Sequence, residues 1–181
     1  MVTAIDPAPA LIVIDLQKGI TQLPTAHVMD GVVANSAKLA EAFRSRKLPV
    51  VLVNVTGGAP GRTENPRPGG ERPKDWAELV AELNEQPNDI KITKRTWGAF
   101  HDTALDNKLK ELGVTQVVVT GVATSAGVES TARSAHEHGY NVVLAIDAMT
   151  DMSAEAHENS VARIFPKLGE TGTTKEIIEL L

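Results

Sequence analysis

The sequence predicts an α/β protein, a three-layer α/β/α sandwich around a Rossmann-like sheet of about six mostly parallel strands. Three observations carry that expectation. Apolar β-branched runs such as 50–55 and 117–119 are continuous rather than alternating, as in strands covered on both faces by helices. Stretches of helical periodicity stand between these runs. The 181 residues, 42% of them apolar, suit one core, so residues 1–181 read as one domain.

The first strand is 10–14, ended by Asp15, which stands at the strand tip as a site acid or as a turn aspartate. Gln17 either orients a substrate or bonds to backbone. From Met29 to Arg46, Val32, Val33, Leu39, Ala40 and Phe43 recur with helical spacing, and Pro49 opens the second strand, 50–55. Residues 56–73 are rich in Gly and Pro and carry Arg62, Arg67 and Arg72. A loop of that length calls for a lid or a subunit contact, the plain alternative being a solvated loop. As a lid, its arginines suit a carboxylate substrate, because a guanidinium grips a carboxylate through two hydrogen bonds.

Trp76, Leu79, Val80 and Leu83 follow as a short helical stripe, with Trp76 in the core or an interface. A third strand, 89–93, delivers Lys94 to the crevice that holds Asp15. Trp97 and Phe100 come next, and at least one of them should wall a pocket. The helix 104–112 is stopped by Gly113 and turns Leu105, Leu109 and Leu112 inward.

The run 117–119 is the fourth strand. Gly121 and Gly127 bracket a tight turn, and from Val128 a helix buries Ala132 and Ala135 until Gly139. Such a turn aims the amides near 126–129 into the crevice, where an anion or a developing oxyanion is held. The glycine spacing fits neither nucleotide-binding fingerprint. A fifth strand, 141–146, ends at Asp147. Ser153 then caps a helix on which His157 reads as a packing residue, and a last short strand, 169–173, leads to a helix docking Ile177, Ile178 and Leu181.

Eighteen basic against twenty-three acidic residues give a net charge of −5, which argues against nucleic-acid and anionic-membrane partners and for a small-molecule one. The absence of cysteine excludes disulfides, thiolate zinc sites and a thiol nucleophile. No basic leader precedes the first strand and no apolar run is long enough for a span, so a cytoplasmic protein is expected. His136 and His138 diverge on their helix and H-E-x-x-H is absent, so no metal and no cofactor is expected.

The run GVATSAGVESTARSA resembles the signature of the isochorismatase-like hydrolases, whose amidase members place a nucleophilic cysteine where this chain has Gly127. LIVIDLQ, with Asp15 and Gln17, and KRTWGAFHDTAL, with Lys94, resemble the family's acid and lysine motifs, in matching order along nearly the whole chain. The resemblance implies Asp15, Lys94 and Gly127 as the catalytic set, with Gln17, Trp97, Phe100, Ala123, Thr124, Ser125 and Ala126 against substrate. It also implies a cis peptide at Val122–Ala123, a loop-supporting role for Asp147, and a homo-oligomer, dimer or tetramer.

In the cysteine members this trio implies covalent amide hydrolysis. Here Thr124 or Ser125 would have to take the place of the thiol from displaced positions. The isochorismatase branch, which also carries glycine there, implies acid-catalysed hydrolysis of a vinyl ether, with Asp15 as the acid and no covalent intermediate. Ala123 and Ser125 replace the Tyr and His of that branch, so substrate contacts differ. A neighbouring ammonium favours the carboxylate form of Asp15, which only burial opposes. The competing class is a catalytically silent binding or scaffold protein. Against it, two charges held in a desolvated crevice are costly without a chemical use.

Overall fold

Among the described residues there are six strands, β1 (Pro9–Ile14), β2 (Val50–Val55), β3 (Ile90–Lys94), β4 (Gln116–Val122), β5 (Asn141–Thr150) and β6 (Glu170–Gly172). They make one sheet in the order β3-β2-β1-β4-β5-β6, and every neighbouring pair is parallel. The computed structural model describes residues 1–65 and 71–181. Arg67 lies outside the described residues.

Because β1 and β4 are buried along their whole length, alternate side chains feed two separate cores. Ile12, Ile14, Val117 and Val119 pack with Leu105 and Leu109 of α3 (Leu105–Glu111), with Ala132 and Ala135 of α4 (Glu129–Glu137), and with Phe165. Leu11, Val13 and Val118 face the other way. They meet Val32, Val33, Leu39, Ala40 and Phe43 of α2 (Met29–Ser45) and Ile177 of α6 (Thr174–Leu180). Two further short helices are α1 (Lys18–Thr21) and α5 (Ala154–Asn159), the latter capped by Ser153, whose hydroxyl accepts from the Ala156 amide. Among the described residues no helix is long and apolar enough to cross a membrane.

The strand order reverses between β1 and β4, so the loops leaving their carboxyl ends diverge and open a crevice. Gly121 makes their close approach possible. It pairs with Ile14 at φ +114°, and a β-carbon there would overlap the Ile14 carbonyl.

Four sequence expectations change in the structure. Trp76, Leu79, Val80 and Leu83 do not form a helical stripe. Leu79 bridges to Gln17 as an antiparallel pair and only 81–83 make a 3₁₀ turn, because this segment is strapped across the end of β1 by backbone bonds. Leu112 caps α3 and is half-exposed rather than inward, since Gly113 at φ +67° ends the helix one residue later. β5 runs past Ile146 to Thr150, because a register shift opposite 119–121 lets it resume pairing at Met149 and Thr150. Asp147 is therefore not a strand-end acid supporting the site loop. It accepts from the Thr174 amide at 2.7 Å and hydroxyl at 2.9 Å, and so anchors the start of α6.

Candidate active site

Asp15 leaves β1 with φ +53°, a left-handed backbone uncommon outside glycine, which carries its side chain out of the strand's alternation. Lys94 is the last residue of β3. Its ammonium lies 2.6 Å from Asp15 Oδ2, with the side chains 2% and 6% exposed, and also donates to the Thr96 carbonyl at 3.2 Å. The acid and lysine motifs, 79 residues apart in sequence, thus meet as one buried ion pair.

The glycine turn approaches the pair from β4. After a cis Val122–Ala123 peptide, 124–128 form a single π-helical turn that runs into α4. A β-carbon built on Gly127 would lie 3.3 Å from Asp15 Oδ2, 3.0 Å from Ile14 Cγ2 and 3.4 Å from the Val122 carbonyl oxygen. Position 127 therefore faces the carboxylate at contact distance.

The amides near 126–129 do not all point into the crevice as the sequence suggests. Those of Ala126 and Val128 both donate to the Ala123 carbonyl, and that of Glu129 bonds back to Ala126 and Thr124, because the wide turn closes on itself. Thr124 and Ser125, expected against substrate, are engaged elsewhere. The buried Thr124 hydroxyl lies 2.8 Å from Nδ1 of His157, and Ser125 donates both its amide, at 2.7 Å, and its hydroxyl, at 2.8 Å, to Asp151 Oδ2. Ala123 and Ala126 pack toward the α2 side of the sheet.

Gln17 is wholly buried and holds backbone rather than an open pocket. Its Oε1 accepts from the Val55 amide, and its Nε2 donates to the carbonyls of Val55 and Trp76. Phe100 is a core residue, stacked 5.2 Å from His138 and 6.0 Å from Tyr140, while Trp97 stands largely exposed on the lysine loop. Arg72 lies 4.0 Å over the Trp76 ring and donates to the Thr56 carbonyl, which puts it at the carboxyl end of β2. Arg62 is exposed in the same loop.

Asp151 and His157 are the residues that sequence reading undervalued. Asp151 is the true acid beyond β5, and its role follows only once the strand is extended. His157 packs 4.5 Å from the ring of His27, whose Nδ1 meets the Thr150 hydroxyl at 3.0 Å. Burial, reinforced by His27, pushes the His157 pKa below its ordinary value against the opposing pull of Asp151 and Glu158.

A groove of about 670 Å³ opens at the amino ends of β2 and β3, lined by Arg44, Pro49, Pro87, Asp89 and Lys108 among others. It lies at the opposite end of the sheet from Asp15, and its Arg44–Asp89 pair ties down the 84–89 loop. The acid, the lysine and the glycine turn converge instead at the strand-order reversal, on a fully parallel sheet.

Compared with known families, residues 9–176 match the isochorismatase domain. The chain belongs to the isochorismatase family. The isochorismatase family protein YwoC of Bacillus subtilis is 43% identical over 94% of this chain and 92% of its own. An isochorismatase family protein of Burkholderia thailandensis, known by structure, is 40% identical and superposes with a TM-score of 0.95 over 98% of this chain and 97% of its own. Ureidoacrylate amidohydrolase RutB of Variovorax paradoxus is 28% identical over 93% of this chain and 79% of its own. This isochorismatase-family hydrolase carries glycine at the position that faces Asp15.

Proposed function

We propose that the protein hydrolyses an activated ether of a small carboxylate-bearing molecule by acid catalysis, without a covalent intermediate. The observation that carries the reading is the empty side-chain position at Gly127, 3.3 Å from Asp15 Oδ2 at its would-be β-carbon. With no thiol there, no acyl-enzyme forms, and the carboxyl group faces bare backbone rather than a nucleophile, which leaves water as the attacking group.

In a vinyl ether, Asp15, having taken up a proton in place of its resting charge, gives that proton to the terminal carbon, and the ether carbon becomes an oxocarbenium. Water adds to that carbon and returns a proton to Asp15, and the hemiketal collapses to a ketone and an alcohol. Lys94, 2.6 Å away, stabilises the carboxylate left after proton transfer, when its charge is needed most. Arg72 at the crevice rim supports a carboxylate on the substrate.

A substitute nucleophile is disfavoured. Thr124 has a histidine at bonding distance but is wholly buried, and Ser125 has both its amide and its hydroxyl committed to Asp151. The test is pyruvate release from isochorismate, the first substrate to try, beside ammonia release from an amide panel. Pyruvate that disappears with Asp15→Asn supports the reading. Ammonia without pyruvate overturns it in favour of an amidase, and neither product from folded protein favours a scaffold role.

A further inference from the structure

We propose that Thr131 is the positioning residue that fixes the glycine turn against the lysine loop and so holds Gly127 opposite the Asp15–Lys94 pair. The role in turnover rests on the reading of that pair as the reaction centre. Thr131 stands early in α4 and is wholly buried. Its hydroxyl donates to the Gly127 carbonyl at 2.7 Å and accepts from the Ala99 amide at 3.1 Å. The polarity is fixed, because a peptide N–H only donates and a carbonyl only accepts.

A helical threonine bonding to the carbonyl four residues back is ordinary. The second bond is not, since it crosses to a buried amide 32 residues away, on the loop that begins at Lys94. The contacts close into a ring. Asp15 meets Lys94, Lys94 meets the Thr96 carbonyl, the Ala99 amide meets Thr131, and Thr131 meets Gly127, which faces Asp15 again. Three motifs far apart in sequence are thereby set in register, and Thr131 is the side chain that joins the second to the third. Without its hydroxyl the Ala99 amide loses this acceptor and the two loops lose their shared anchor.

Thr131→Val keeps the shape and removes the hydroxyl, whereas Thr131→Ser keeps the hydroxyl. With isochorismate as probe, Val should lower kcat about 100-fold with KM changed less than about threefold, as expected when reacting groups are misplaced rather than binding lost. Ser should restore kcat to within about threefold of the natural chain. Amide hydrogen exchange at Ala99 needs no substrate, and its protection should fall about tenfold in Val and persist in Ser. Should Val fail to fold, Thr131→Ala is the second hydroxyl-free variant.

Unchanged kcat in Val, no rescue by Ser, or equal Ala99 protection in all forms would overturn the proposal. If the natural chain turns over nothing, the reaction reading fails by itself. The Ala99 arm then still decides whether Thr131 joins the loops.

Discussion

Removing Lys94 leaves the Asp15 carboxylate in a site where neither side chain is more than 6% exposed. At 2.6 Å and an effective dielectric of about 20, the attraction lost is on the order of 6 kcal/mol, of which desolvation of the two ions cancels a large part. Breaking such a pair from one side should therefore cost about 3–5 kcal/mol, for Lys94→Met and for Asp15→Asn alike. The double variant carries no buried charge at these positions. It should be less destabilised than the sum of the two by at least about 2 kcal/mol. Urea unfolding at pH 7, followed by circular dichroism with matched slopes, measures all four corners of the cycle. Turnover should follow the same logic, each single change abolishing it and the double being little worse. Single costs below about 1 kcal/mol, or additive costs, would refute the idea that the two act as one unit.

Gly121→Ala should destabilise by at least about 2 kcal/mol, since it combines a positive φ with overlap of the Ile14 backbone; a shift under about 0.5 kcal/mol in the same unfolding assay would show that β1 and β4 can part. His157 has a folded pKa below its unfolded value of about 6.5, so its contribution to stability is complete above that pH and is lost as pH falls toward the folded value. The natural chain should accordingly lose more stability than His157→Gln between about pH 7 and 5, and parallel pH profiles would contradict this.

The strands and the three motifs were legible because their signals are local. β2 occupies 50–55 as expected, since unbroken β-branched residues leave few other options, and Asp15 and Lys94 stand at strand ends whose meeting follows from a parallel sheet. What was not legible depends on which way a turn faces. Thr124 and Ser125 lie in the right turn, yet a π-helical turn carries their hydroxyls to His157 and Asp151, partners 33 and 26 residues away. Phe100 sits three residues from Trp97, but it is claimed by the rings of His138 and Tyr140 at the end of α4. The spacing of Trp76, Leu79, Val80 and Leu83 imitates a helix, whereas tertiary bonds to Leu16, Gln17, Lys18 and Gly19 draw the segment out as a strap.

The side chain of Gln17 acts as a detached peptide group. Where the β1 backbone turns away at Asp15, the primary amide of Gln17 both accepts from and donates to Val55, in the manner of one more residue of a neighbouring strand. The sheet's bonding therefore outlasts its chain. β2 is not left with a bare rim at the crevice, and the segment after β1 is free to take the left-handed step that delivers the acid. Few other side chains could stand in. Glutamate offers no donor for the Val55 and Trp76 carbonyls, and asparagine is one methylene short of the reach. The position is thus constrained by sheet-like bonding geometry, although it lies beside the chemistry.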